Sequence, residues 1–140
     1  MAVIGVALVE IGSRQAVERG DHHLRLEVEA GDVGEQRLGW PAERLLITFQ
    51  SRFGRAEWLQ PYTDVTLTEL AKKGVRRIAV ITPGFSADCL ETLEEIAIRG
   101  KETFVEAGGT DFAALPCLND RPEGMRVIEH VVRRELMGWV

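Results

Sequence analysis

Two glutamates one helical turn apart, Glu91 and Glu95, are spaced for metal or proton chemistry. Side chains four residues apart lie on one stripe of a helix, and Arg99 continues this stripe. Like charges at this spacing destabilise a helix mildly, so a purely structural role does not explain why both residues are acidic. Grouped carboxylates can bind a divalent cation such as Fe²⁺ or Mg²⁺. The alternative is a solvated helix surface, on which Glu95 and Arg99 form an ion pair of small value.

A second candidate site is the segment from Gln50 to Pro61, which precedes Tyr62 and combines aromatic with cationic residues. Its arginines are Arg52 and Arg55, and its aromatic residues are Phe53 and Trp58, with Tyr62 directly after the segment. Aromatic rings can stack on a flat macrocycle, and guanidinium groups can bind its carboxylates. The alternative is that Phe53 and Trp58 only cover the end of a sheet.

The histidines and cysteines predict neither a metal site nor a disulfide framework. His22 and His23 are adjacent, so on a strand they point to opposite faces, and His130 stands far from both. Cys89 and Cys117 have no CxxC spacing. We expect both cysteines to act as small packing residues in a reducing compartment.

Composition limits the classes of partner. The chain has 140 residues, a net charge of −5 and a pI near 5.3, which argues against nucleic-acid binding. Its apolar N-terminal run is short and has no preceding basic residue, so it predicts neither a signal peptide nor a transmembrane segment, which needs about 20 apolar residues. The sequence therefore predicts a soluble, cytoplasmic protein.

The candidate residues must be positioned by alternating strands and helices. The predicted strands are Leu45–Phe49, Arg77–Ile81 and Phe112–Leu118, and the predicted helices are Val65–Lys73, Asp88–Ala107 and Glu123–Met137. A further short strand fits the alternation of residues 24–28. Short apolar strands separated by helices indicate an α/β fold, with a parallel sheet and helices on both faces.

Ligands of such sheets bind at the carboxyl ends of the strands, which singles out the loops Gln50–Pro61 and Thr82–Asp88. The second loop leads into the helix that carries the glutamates. Asp88 and Glu91 have the spacing of a capping box at its start, and Gly108 with Gly109 should end it.

Two long motifs of this chain resemble signatures of bacterial ferrochelatases. They are FQSRFGRAEWLQPYT (residues 49–63) and PGFSADCLETLEE (residues 83–95). The resemblance runs from Arg37 to the C-terminus. It implies a chelatase-like, Rossmann-like three-layer half, with residues 1–36 as an unmatched segment and residues 37–140 as the C-terminal α/β domain.

The resemblance implies a lyase that inserts Fe²⁺ into protoporphyrin IX to form protohaem, with ferrous iron and the porphyrin as substrates and no resident cofactor. Glu91 matches the catalytic glutamate that faces the porphyrin, where it either ligates the metal or accepts the pyrrole protons. Glu95 matches an acidic position leading outward from it. Trp58, Ser51 and Arg52 match porphyrin-binding positions.

The chain also departs from the family pattern. Members have a preceding α/β domain whose histidine lies across the cleft, and residues 1–36 contain no such strand, so we expect a fragment. Cys89 stands where other members have histidine. Arg99 stands where some members have a further acidic residue that continues the series of Glu91 and Glu95. Alternatives are a chelatase for another tetrapyrrole and metal, or an inactive half-domain that only binds or pairs. The face left by the missing domain would favour self-association.

Overall fold

A computed structural model describes residues 4–10, 44–50 and 59–139, and these contain a four-stranded mixed sheet with helices. The strands are β1 (Ile4–Glu10), β2 (Leu45–Gln50), β3 (Arg77–Ile81) and β4 (Asp111–Ala114). The helices are α1 (Thr63–Lys72), a π-helix (Glu91–Gly100) continued by α2 (Lys101–Glu106), and α3 (Pro122–Glu135). The predicted α/β class is confirmed.

The order of the strands across the sheet is β2, β1, β3, β4. β3 and β4 are parallel, with Val80 opposite Ala114. β1 is antiparallel to both β2 and β3, so β2, β3 and β4 run in one direction and β1 runs against them. The three predicted strands therefore have the expected common direction, and β1, a strand that was not predicted, lies between β2 and β3 and runs against them.

One face of the sheet carries the main core. Ile78 and Val80 of β3 point to this face and pack with Leu67 of α1, Ile96 of the π-helix and Phe104 of α2. The burial of alternate strand residues on one face is what binds these helices to the sheet. Phe104 is fully buried at 0% exposure, so it anchors the end of the helix that carries both glutamates.

The turn after α2 needs both of its glycines. Gly108 has a φ of 108°, which favours glycine. A Cβ atom on Gly109 would collide with the ring of Phe104. The predicted end of the long helix at this glycine pair is confirmed, although the helix begins at Glu91 rather than at Asp88.

The last helix, α3, begins with Pro122 in its first turn, as predicted. Its apolar residues are largely exposed, namely Met125, Val127, Ile128, Val131 and Val132. Its acidic and basic residues pair along the helix, for example Glu129 with Arg133 at 2.8 Å. No helix in the described ranges is long and apolar enough to cross a membrane. The strand predicted near residues 24–28 lies outside the described residues.

Candidate functional site

The carboxyl ends of β2, β3 and β4 lie at one edge of the sheet, because these strands run in the same direction. β2 ends at Gln50 and β3 ends before Thr82. The segment 82–90 then leads from this edge into the π-helix. The edge predicted to hold the site is therefore where the helix with the glutamates begins.

The π-helix changes which side chains are neighbours. Its backbone hydrogen bonds join residues five apart, so side chains at spacings of four and five both lie close together. Arg99 pairs with Glu94, five residues earlier, at 2.6 Å. The alternative reading, in which Arg99 pairs with Glu95, was wrong for this reason.

Glu91 is the first residue of the π-helix and is half-buried. The thiol of Cys89 donates a hydrogen bond to its Oε2 at 3.0 Å. This bond, followed by one from the backbone N–H of Glu91 itself, lowers the pKa of the Glu91 carboxyl, against the smaller opposing effect of burial. Glu91 is thus a carboxylate at neutral pH. Cys89, expected only to pack, also binds the candidate catalytic group.

Asp88 does not form the predicted capping box. Its backbone N–H donates to Oδ1 of Asn119 at 2.8 Å instead of to Glu91. Its carboxylate accepts hydrogen bonds from Nδ2 of Asn119 at 2.7 Å, from the backbone N–H of Cys117 at 3.1 Å and from the hydroxyl of Thr92 at 3.1 Å. The capping box was wrong because these partners, most of them 29 to 31 residues away, occupy Asp88.

These bonds stabilise the ionised form of Asp88. The side chain of Asn119, then the backbone N–H of Cys117, lower the pKa of Asp88 to about 2. Asp88 therefore fixes the start of the π-helix to the segment after β4. Cys117 is buried, as expected for a packing residue, and burial raises the pKa of its thiol.

Glu95 is connected to the sheet edge by Gln50. Nε2 of Gln50 donates to Oε2 of Glu95 at 2.9 Å across 45 residues of sequence. Both residues line a cavity of about 320 Å³ between β2, α1 and the π-helix, whose other lining residues include Thr63, Asp64 and Arg99. The sequence analysis included Gln50 in the candidate segment but assigned it no role, although a polar residue that ends an apolar strand at its carboxyl end is a usable signal.

Part of the predicted site cannot be placed. Ser51, Arg52 and Trp58 lie outside the described residues, so their porphyrin contacts and the proximity of Trp58 to Glu91 stay predictions. Within the described ranges, no three His, Cys, Asp or Glu side chains are grouped so that they could hold a metal ion. The role of Glu91 as a metal ligand stays a prediction.

Comparison with known proteins gives a consistent result. A family model described as Ferrochelatase matches residues 14–136. A protein named ferrochelatase from Allorhizobium ampelinum is 62% identical over 122 residues, covering 87% of this chain and 36% of the relative. Those from Methylocella silvestris and Chelativorans sp. are 59% and 64% identical, covering 89% and 86% of this chain. No solved structure matches.

The chain spans about a third of the length of these curated relatives, 36% or 34% of each. The matched region also begins before Arg37, the residue from which the resemblance runs to the C-terminus. The division of the chain at residue 36 stays a prediction.

Proposed function

The chain belongs to the ferrochelatase family, and we propose that it forms the C-terminal part of an enzyme that inserts Fe²⁺ into protoporphyrin IX. In this proposal Glu91 and Glu95 act on the metal and the protons, and Ser51, Arg52 and Trp58 bind the porphyrin. Fe²⁺ is a substrate, and the protein has no resident cofactor.

The observation that carries the proposal is the state of Glu91. Metal insertion requires the desolvation of Fe²⁺, the bending of the macrocycle and the removal of the pyrrole protons. A carboxylate held ionised at the start of a helix can attract the cation, whereas its lowered pKa makes it a weak acceptor for the released protons. Bending the porphyrin exposes a nitrogen lone pair, at the expense of binding energy gained elsewhere on the substrate.

The anchoring of the acids also supports the proposal. Glu91 lies at a sheet edge that is fixed by Asp88 and Asn119, and Glu95 is tied to strand β2 through Gln50. Catalytic groups need such fixed mounts because small displacements reduce the rate strongly. Glu95 leads away from Glu91 along the helix, next to the cavity, and we assign it to the passage of metal or protons.

The test is a metalation assay on two proteins. We expect the 140-residue chain alone to show little or no insertion of Fe²⁺ or Zn²⁺ into protoporphyrin, followed by absorbance. A chimera joining it to the first two thirds of the Allorhizobium ampelinum protein should be active. In this chimera Glu91→Gln should reduce kcat by about 100-fold or more, and the exposed control Glu123→Gln should not.

Several outcomes would contradict the assignment. Full activity of the Glu91→Gln chimera would remove Glu91 from the mechanism, and strong turnover by the chain alone would contradict the need for a second part. Insertion of Co²⁺ or Ni²⁺ into another tetrapyrrole, without insertion of Fe²⁺, would favour a different chelatase. Porphyrin binding without turnover in the chimera would favour an inactive binding module.

Self-association and location complete the proposal. The exposed apolar side chains of α3, such as Ile128 and Val132, support self-association of the isolated chain. Sedimentation velocity would show dimers that dissociate in Ile128→Glu, and a monomer at all concentrations would contradict this. We place the protein in the cytoplasm, in keeping with the free thiols of Cys89 and Cys117.

A further inference from the structure

Glu95 has a cationic neighbour, Arg99, that pairs with a different acid. Arg99 lines the same cavity and stands four residues after Glu95 on the same helix. In the described part of the chain, Arg99 forms an ion pair with an acid of the π-helix, and that acid is Glu94. Glu95 forms its hydrogen bond with the neutral amide of Gln50. A neutral donor fixes the orientation of a carboxylate without cancelling its charge.

We propose that Gln50 and Glu94 are positioning residues that keep the carboxylate of Glu95 oriented and uncompensated for the metal substrate. Gln50 holds Oε2 of Glu95 at the wall of the cavity. Glu94 pairs with the guanidinium of Arg99 and so keeps it from pairing with the carboxylate of Glu95. The inference rests on the proposed function only in identifying the cation as the metal substrate.

The role of Glu94 follows from the geometry of the helix. In an α-helix the favoured partner of Arg99 would be the acid four residues earlier, Glu95. The π-helical spacing also brings the acid five residues earlier into reach, and the Arg99–Glu94 contact of 2.6 Å uses it. Without Glu94, Arg99 would be free to pair with Glu95 and to offset the charge that attracts a divalent cation.

The role of Gln50 follows from its position. It is the last residue of β2, so its amide is carried by a paired strand rather than by a mobile loop. Its half-buried side chain reaches the middle of the π-helix, where Glu95 is also half-buried. Loss of this amide would release the carboxylate to rotate toward Arg99, since both side chains line the same cavity.

The experiment measures weak cation contacts on the 140-residue chain, with Mn²⁺ alone as the probe. Mn²⁺ broadens the NMR signals of nearby nuclei, so the amide signals of Glu95, Gly100 and Thr103 report cation entry to the cavity. We expect Glu94→Gln and Gln50→Met each to raise the Mn²⁺ concentration for half-broadening by about two- to tenfold, the range expected for one lost charge-assisted contact.

The decisive variant is the double substitution Glu94→Gln/Arg99→Gln. It removes the competing guanidinium, so it should restore the wild-type response to Mn²⁺, which a merely structural role of Glu94 does not predict. Glu106→Gln, an exposed acid on α2, is the matched control and should leave the response unchanged. If Gln50→Met unfolds, judged by the loss of amide dispersion, the Glu94 variants decide.

Three results would overturn the inference. They are an unchanged response in Glu94→Gln, a double variant no better than the single one, and wild-type signals at the cavity that Mn²⁺ does not broaden. The metalation assay of the chimera is independent of these measurements. An active chimera with a negative Mn²⁺ result would reject only this inference, and an inactive chimera with the expected Mn²⁺ result would reject only the proposed function.

Discussion

Replacing Asn119 tests how the start of the π-helix is held. Asn119 donates to Asp88 at 2.7 Å and to the carbonyl oxygen of Cys117 at 3.1 Å, and it accepts from the backbone N–H of Asp88 at 2.8 Å. It also has a φ of 52°, in the left-handed region. Asn119→Gly and Asn119→Ala both remove the side-chain bonds, but only alanine is strained by this backbone conformation.

The difference between the two variants can be worked out from the backbone. A Cβ in the left-handed region costs about 1–2 kcal/mol. Alanine recovers about 0.4–1 kcal/mol because it restricts the unfolded chain more than glycine does. We therefore expect the alanine variant to be less stable than the glycine variant by about 1 kcal/mol, or about 3–4 °C in Tm. Urea and thermal unfolding followed by circular dichroism would measure this difference.

The same variants test the electrostatics of Asp88. The pKa of Asp88 is about 2 in the folded chain, below its ordinary value of 3.8, so ionised Asp88 contributes stability above pH 4, and that contribution is lost as the pH falls toward 2. Without Asn119, the largest cause of the lowered pKa is gone. The decline of stability between pH 4 and pH 2 should therefore be shallower in both variants than in the wild type.

Two results would refute this reasoning. An alanine variant as stable as the glycine variant would show that residue 119 does not need the left-handed conformation. An acid decline as steep in both variants as in the wild type would show that Asn119 does not stabilise the carboxylate of Asp88. Asp120→Asn, an exposed neighbour, is the control and should leave both measurements unchanged.

Other predictions concern the core and the thiols. Phe104→Ala should cost about 3–5 kcal/mol in urea unfolding because the side chain is fully buried; a cost below 1 kcal/mol would contradict this. Gly109→Ala should cost about 1–3 kcal/mol through its collision with Phe104, and combining it with Phe104→Ala should cost less than the sum; strict additivity would refute the collision. Cys89 should be alkylated by iodoacetamide before Cys117, which is 7% exposed and has a raised pKa, as mass spectrometry would show; the reverse order would contradict the structure.

The regular elements of the core could be predicted because each has a local signal. The apolar run of β3, the proline at the start of α3 and the glycine pair after α2 each act within a few residues. These signals also predicted the edge of the sheet at which the helix with the glutamates begins. The bounds differ by a few residues, as with β4, where Leu115 bonds to Val80 although the regular strand has ended at Ala114.

The contacts of the site could not be predicted in the same way. Asp88 and Asn119 are 31 residues apart and Gln50 and Glu95 are 45 apart, so neither pair has a local pattern. The strand β1 was missed because its short apolar run was considered only as a signal peptide or membrane segment. Its position between β2 and β3 depends on pairing with strands that follow much later in the chain.

The π-helix explains why the spacing of the acids alone was misleading. In an α-helix, the stripe of Glu91, Glu95 and Arg99 would end in an ion pair that offsets one of the two acids. In the π-helix, Arg99 reaches Glu94 instead, and Glu95 is held by an amide from another strand. The residues that decide how much negative charge the site presents are therefore absent from the stripe itself. A chain with the same stripe in an α-helix would present one uncompensated acid, Glu91, where this one presents two.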